Sequence, residues 1–377
     1  MADAPSPVLP DYGGACIASV VPALVRAVGL APGDGELPAW VPEPVRQASQ
    51  VVVLLVDGLG WDQLRERVAL APTLAGMAGG PITSVAPSTT ATALTSITTG
   101  RPPAEHGVIG YRVRVGEGVG EVLNVLSWQT PSGDARDRVR PEDFMRRPVF
   151  GALAPPVLSR SEFVGSGFTE AHLRGVRLVA YRAVSSLAVE IGRLLDRDES
   201  FVYAYYDGID RVAHAHGLGH HYEAEVVFVD RLVAELLAVL PGGAALVVTA
   251  DHGQVDVGDR CVALADDVVA ATELISGEGR FRWLHALPGA REGLLERARA
   301  AHGEEAWVVS RQEAVAAGWF GGPLSPEVAA RVGDVAVVAH APVAFLDPTD
   351  AGETVLRSRH GSLTPAEMWV PLVAERA

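Results

Sequence analysis

Three uninterrupted apolar runs, each ending close to an acidic residue and a glycine, limit what this chain can fold into. Residues 51–56 (VVVLLV) lead into Asp57-Gly58, Phe201–Tyr206 (FVYAYY) leads into Asp207-Gly208, and 245–249 (ALVVT) stops just short of Asp251-His252-Gly253. A strand with one wet face alternates apolar and polar residues, whereas an unbroken apolar run is buried on both faces, as in parallel sheets covered by helices. A fourth run, 368–373, lies near the end of the sequence. Helical spacing appears at 17–28, 91–98, 184–195 and 222–240. Strands alternating with helices predict a three-layer α/β/α domain around a mostly parallel central sheet. Ligands bind such sheets beyond the carboxyl ends of the strands, where Asp57, Asp210 and Asp251 are expected to sit.

One region breaks the pattern. Residues 255–345 hold short strand-like pieces (RFRWLHALPG at 280–289, AWVVS at 306–310, VAVVAHAPVAFLD at 335–347) and a helical stretch at 289–301. They read as a smaller inserted, lid-like α+β subdomain between a first core segment, 1–254, and a closing segment, 346–377. Residues 1–12 read as a loose tail, 32–44 as a Pro/Gly/acidic loop, and 116–120 and 130–138 as surface hairpin and loop.

Composition narrows the partners. The 377 residues carry a formal net charge of −15. That field repels a nucleic-acid polymer and an anionic membrane, but it leaves open a small phosphate-bearing substrate, because bound cations reverse the local field. Aromatic residues are 6% of a chain that is 48% hydrophobic, so the core is built from many small contacts. The two cysteines, Cys16 and Cys261, do not form a disulfide framework and are expected to be small buried residues. No basic segment followed by an apolar one opens the sequence, and no run of ~18 apolar residues occurs. A cytoplasmic location is the expectation.

Candidate chemistry gathers at the strand ends. Asp251 and His252 side by side offer a carboxylate oxygen and an imidazole nitrogen, both ligand types that zinc accepts. Asp210 and His214 are four residues apart, about one helical turn, and so face the same way. Asp207 competes with Asp210, and His216, His220 and His221 crowd the same segment. His360-Gly361 precedes the last apolar run and reaches the same rim if the sheet is parallel there. In 84–111 (SVAPSTTATALTSITTGRPPAEHGVIGY) a strand-like piece runs into Ser88, Thr89 and Thr90 and then a helix. A hydroxyl at a helix start meets unpaired N–H groups and the positive end of the dipole, a good seat for a phosphoryl group. Such a hydroxyl needs activation, which a metal ion supplies.

With these motifs in view, the chain resembles the type I phosphodiesterase/nucleotide pyrophosphatase family of the alkaline phosphatase superfamily. LLVDGLG (54–60), PSTTATALTSITTGRPPAEHGVIGY (87–111), DGIDRVAHAHG (207–217), VVTADHG (247–253) and RHGS (359–362) carry the resemblance. It implies an alkaline phosphatase-like fold, Thr90 as nucleophile, and two divalent metal ions, with zinc expected. Asp57, Asp251, His252 and the Thr90 oxygen would hold one ion, and Asp210, His214 and His360 the other. It also implies that His106 buttresses the loop after the nucleophile helix. One departure is an Asn of the family placed three residues after the nucleophile, where this chain has Ala93 beside Thr92. The expected activity is hydrolysis of phosphodiester or nucleotide pyrophosphate bonds through a phospho-threonine intermediate, on a small phosphate-ester or nucleotide substrate. The alternatives are a phosphomonoesterase or phosphonate hydrolase of the same superfamily, and a non-catalytic metal-binding scaffold. A sulfatase is excluded by the lack of a Cys/Ser-x-Pro-x-Arg segment.

Overall fold

The computed structural model describes residues 5–32, 35–348 and 355–377. Parts of the tail (1–4), of the 32–44 loop (33–34) and of the closing segment (349–354) lie outside the described residues. The central sheet has seven strands. In chain order they are β1 (Gln50–Val56), β2 (Ala78–Thr83), β3 (Pro156–Arg160), β4 (Arg177–Tyr181), β5 (Phe201–Tyr206), β6 (Ala244–Thr249) and β7 (Trp369–Arg376). Their spatial order is β2-β7-β6-β1-β5-β3-β4. The pairs β6/β1, β1/β5, β5/β3 and β3/β4 are parallel, while β7 runs antiparallel to both β6 and β2. The sheet is thus mostly parallel, and the protein has the expected α/β class.

β1, β5 and β6 are adjacent and buried almost throughout. Helices cover both faces, among them α1 (Ile17–Ala27), α2 (Thr90–Thr99), α3 (Gly208–His216) and α4 (His220–Ala238). Val, Leu, Ile and Ala fill most of the core around them. Among the described residues no helix is long and apolar enough to cross a membrane.

The antiparallel β7 corrects one expectation. A parallel last strand would leave the residues before it at the amino-terminal rim. Because β7 runs the other way, its first residues pair with the ends of β6 and β2 (Leu372 with Thr249, Trp369 with Thr83). The segment before β7, with His360, is thereby delivered to the carboxyl-terminal rim. The tail is also tighter than expected where it is described. Val8 N–H donates to Leu363 O, Asp11 N–H to Thr83 Oγ1, Tyr12 O–H to Trp319 O, and Trp307 Nε1–H to Pro5 O. Backbone pairing of this kind outweighs the loosening suggested by Pro and Ala. Cys16 is buried, but Cys261 is only partly so.

Within 255–345 a second, four-stranded antiparallel sheet forms from Thr272–Glu278, Phe281–Ala286, Val335–Ala339 and Ala306–Ser310. At its hairpin tip, Arg280 is fully buried and grips Glu367 with two parallel bonds, Nε to Oε1 and Nη2 to Oε2, each 2.8 Å. Its Nη1 also donates to Ala341 O and Val343 O. Glu367 in turn accepts from Ser362 N–H and the Thr364 hydroxyl, and its carbonyl accepts from Gly253 N–H. One buried ion pair thus joins the second sheet to the segments after His360 and His252. Removing one partner of such a pair strands the other charge, at a cost of about 3–5 kcal/mol. Arg280→Met should therefore lower unfolding stability by ~3–5 kcal/mol in urea titrations. A loss below about 1 kcal/mol would show that Glu367 finds other compensation.

Candidate metal centre and active site

Three of the parallel strands, β1, β5 and β6, each hand one carboxylate to the rim. Asp57 follows β1 directly, and the turn continues through Gly58 at φ 77°, where a Cβ would lie 2.8 Å from Gln254 Nε2. Asp251 lies two residues past β6 and accepts the Gly58 N–H at 3.0 Å through Oδ1. Asp210 sits in the first turn of α3, after β5, and its N–H donates to Asp57 O. α2 starts at Thr90, with Thr89 as extended N-cap, so the Thr90 hydroxyl and the open N–H groups of the first turn face the same rim.

These groups converge. His252 Nε2 lies 3.1 Å from Thr90 Oγ1, 3.3 Å from Asp251 Oδ2 and 3.5 Å from Asp57 Oδ1. Asp210 Oδ1 lies 3.3 Å from His214 Nε2 and 3.7 Å from His360 Nε2. The His252 and His360 rings stack at 3.6 Å. Asp57, Asp251 and His252 form one compact ligand group, and Asp210, His252 and His360 another, so His252 faces both. His214 reaches Asp210 but falls outside both compact groups.

Every imidazole is held by its other nitrogen. Nδ1 of His214 meets Ser358 O at 2.7 Å, Nδ1 of His252 meets Gly253 O at 3.1 Å, and Nδ1 of His360 meets Ser88 O at 3.1 Å. A carbonyl can only accept, so Nδ1 carries the hydrogen in each ring and Nε2 is left with a lone pair. Three lone pairs and three carboxylates facing one another repel unless a cation lies among them. Asp57 Oδ1 and Asp251 Oδ2 are moreover buried without a hydrogen-bond partner. Bare acceptors of this sort are what a divalent cation satisfies, and imidazoles oriented through carbonyls are the usual support of a metal ligand. The residues present fit such an ion.

Two supporting residues carried no sequence signal of their own. The Tyr205 hydroxyl donates to Asp57 Oδ2. Gln254 Nε2 donates to Asp210 Oδ1 at 2.5 Å, while its Oε1 accepts from the Ser358 hydroxyl. Strand alternation on β5 and the place of Gln254 two residues past His252 are the only hints that could have found them.

The competing residues stay outside the compact ligand groups, although Asp207 lines a cavity with Thr90 and Asp210. Asp207 is the N-cap of α3 and pairs with Arg160 and Arg211 at 3.4 Å each. His216 stacks on His221, and His220 meets Glu223. His106 accepts Val108 N–H at Nδ1 and meets Ser96 Oγ through Nε2, and burial pushes its pKa down to about 3. Ala93 stands where the family has Asn. It is fully buried in the core, as is Thr92, and neither lines a cavity beside Thr90. The Ala93 methyl has no donor to offer a substrate oxygen.

Two cavities share Thr90, Asp210 and Leu126. One, about 480 Å³, is lined by Leu94, Phe163, Phe168, Leu173, Tyr203 and Tyr205 together with charged residues that include Asp57, Glu162, Asp207 and Arg211. The other, about 340 Å³, includes His214, Glu278, Arg359 and His360.

Electrostatics follow from the crowding. The Asp57 carboxyl is pushed well above the usual range, first by burial and then by Asp251 and Asp210. Asp251 is raised as well, chiefly by burial. His360 is pushed well below its usual value by burial, then by His252 and His214. A carboxyl whose pKa rises on folding favours the fold below its unfolded pKa, and that contribution is lost as pH rises through the folded value. Asp57→Asn should therefore stabilise the metal-free protein at about pH 7 by ~1–3 kcal/mol. Zinc is expected to raise the melting temperature of the wild type and to leave that of the variant unchanged. Thermal unfolding with chelator and with zinc checks both, and a less stable metal-free variant would refute the charge-crowding account.

The type I phosphodiesterase/nucleotide pyrophosphatase family profile matches residues 51–124 and 177–363. Comparison with curated protein sequences returns no match. Among solved structures, murine ectonucleotide pyrophosphatase/phosphodiesterase 5 is similar in fold, with TM-score 0.65 and 14% identity over 86% of this chain and 88% of that one. Phosphonoacetate hydrolase from Sinorhizobium meliloti 1021, in complex with phosphonoacetate, is similar with TM-score 0.64 and 20% identity over 92% of each chain. The matched profile spans more than half of the chain and includes every converging side chain described above, so this hydrolase belongs to the type I phosphodiesterase/nucleotide pyrophosphatase family.

Proposed function

We propose that this protein hydrolyses phosphodiester or nucleotide pyrophosphate bonds with Thr90 as nucleophile. The observation that carries the reading is the Thr90 hydroxyl, at the start of α2 and 3.1 Å from His252 Nε2, beside two buried unpartnered carboxylate oxygens. Asp57, Asp251, His252 and Thr90 would hold one divalent ion, and Asp210, His214 and His360 a second, with zinc suited to the Asp/His set. When bound, such ions supply charge neutralisation for phosphoryl oxygens and lower the pKa of a nearby hydroxyl.

The chain's own residues do the rest. Open N–H groups at the start of α2 and the helix dipole hold the non-bridging oxygens of the substrate. Thr90 Oγ1 loses its proton and forms a bond to phosphorus, while the bond to the leaving oxygen breaks and that oxygen ends protonated. Water then cleaves the phospho-threonine, which returns the Thr90 hydroxyl and releases the phosphate product. Tyr205 and Gln254 keep Asp57 and Asp210 in place throughout. The larger cavity, with its aromatic and aliphatic wall, suits a flat apolar group such as a nucleobase. A threonine-to-alanine variant of the murine relative is described as inactive and in complex with AMP, which supports a threonine and a nucleotide here. Residues 255–345 form, in this reading, a subdomain that walls the smaller cavity through Glu278 and Gly279.

Phosphonate hydrolysis is the second reading, favoured by the likeness to phosphonoacetate hydrolase and by the arginine in the smaller cavity. Thr90→Ala should reduce turnover of bis(nitrophenyl) phosphate by at least ~10³-fold, with the variant still folded by circular dichroism. Turnover near that of the wild type would remove Thr90 from the reaction.

A further inference from the structure

The chain has no lysine, so every fixed positive charge is an arginine. Among the described residues lining the smaller cavity beside Thr90, Arg359 carries the only guanidinium. Arg359 is 3% exposed. Its backbone is pinned on both sides, since Ser358 O accepts from His214 Nδ1 and His360 Nδ1 donates to Ser88 O. The short strand Ser358–Arg359 also pairs antiparallel with Val255–Asp256. The guanidinium Nη2 lies 3.9 Å from Cys261 Sγ.

A glycine makes room for it. A Cβ at Gly279 would lie 2.8 Å from Arg359 Nη1 and 3.2 Å from the Ala344 Cβ. Glu278, the other charged wall residue besides Asp210, turns Oε2 to the Tyr111 N–H at 3.3 Å. A guanidinium keeps its proton at any ordinary pH, and its planar fork matches the two oxygens of a carboxylate or phosphate.

We propose that Arg359 forms an anion subsite in the cavity next to Thr90, which receives a second anionic group of the substrate, a phosphate or a carboxylate, linked to the reacting phosphoryl group. The proposal rests on the reading of Thr90 as the reaction centre. It makes substrates that are anionic at two places, such as a pyrophosphate or a phosphono-carboxylate, the preferred class over esters with a neutral tail. Arg359 is a specificity-determining residue in this account.

The test is binding, so it does not depend on turnover. Zinc-loaded full-length protein carrying Thr90→Ala is titrated calorimetrically with orthophosphate, pyrophosphate and phosphonoacetate. The same titrations are made with Arg359→Gln, Arg359→Lys or Gly279→Ala added. Orthophosphate reports the reaction centre alone, and the other two report a second anion of either kind. Arg359→Gln should weaken pyrophosphate, phosphonoacetate or both at least tenfold relative to orthophosphate. Arg359→Lys should recover part of the loss, and Gly279→Ala, which displaces the guanidinium without changing charge, should reproduce part of it. A larger loss for pyrophosphate assigns a phosphate tail, and a larger loss for phosphonoacetate assigns a carboxylate. Equal weakening of all three ligands would reduce Arg359 to a support of His360 and overturn the proposal. So would unchanged affinities, or a parent protein that binds neither two-anion ligand more tightly than orthophosphate. Loss of Thr90-dependent turnover elsewhere leaves these outcomes intact, so the two readings fail separately.

Discussion

Asp57, Asp210 and Asp251 are pressed together at one rim of the sheet, and the structure of the site follows from that crowding. Two of them are fully enclosed, and burial together with mutual repulsion holds their protons on too tightly for ordinary carboxylates. The topology leaves little choice in the matter. β5, β1 and β6 are neighbours and parallel, so their carboxyl ends open side by side. Adjacent strands are about 4.8 Å apart, the scale on which residues from two strands can share a cation. Gly58 N–H, Tyr205, Gln254 and three backbone carbonyls then fix the orientation of each acceptor. A group of acceptors this well oriented, with no donor for Asp57 Oδ1 or Asp251 Oδ2, is built for positive charge rather than for its own stability.

Much of this frame was legible from the chain because burial on both faces leaves a distinct mark. β1, β5 and β6 are unbroken apolar runs, and the Asp residues after them are turn-forming, so strand end and carboxylate were read together. β3 and β4 were not legible. β4 lies at the sheet edge with only Tyr181 buried, and an edge strand need not show an apolar run. β2 has the opposite trouble, since its AGGPIT sequence puts two glycines and a proline in an edge strand. The direction of β7 was also hidden, because apolar content says where a strand is buried but not which way it runs. That ambiguity mattered for His360, which reaches the rim only because β7 is antiparallel. The carbonyls of Ser88, Gly253 and Ser358 could not be read at all, since backbone acceptors leave no trace in residue type.

The histidines show the same division. Among His214, His216, His220 and His221, spacing from Asp210 singled out His214, and helix geometry is enough for that. Ser358, which anchors the His214 ring, lies 144 residues away. Local periodicity cannot reveal a partner across such a separation. Ala93 makes a similar point. Three residues beyond Thr90 is a neighbouring position on the same side of the helix, yet residue spacing does not say how far the covering structure reaches over that side. Here Ala93 is fully covered.

The division of labour between sheet and loops explains how relatives at 14–20% identity can share this fold so closely. The ligand-type residues are set by strand ends and by the first turns of α2 and α3, where a shift of one residue would turn a side chain away from its neighbours. The walls of the two cavities come from other elements. Phe163, Phe168 and Leu173 belong to the connection between β3 and β4, and Glu278 and Gly279 to the hairpin of the second sheet. These walls can change without moving a strand. Both cavities reach Thr90, so in the proposed reading the groups on the two sides of the reacting phosphorus would be recognised by different parts of the chain. A change in one wall would then alter the fit of one end of such a substrate and leave the centre in place, because that centre is held by the strand ends and the first turns of α2 and α3.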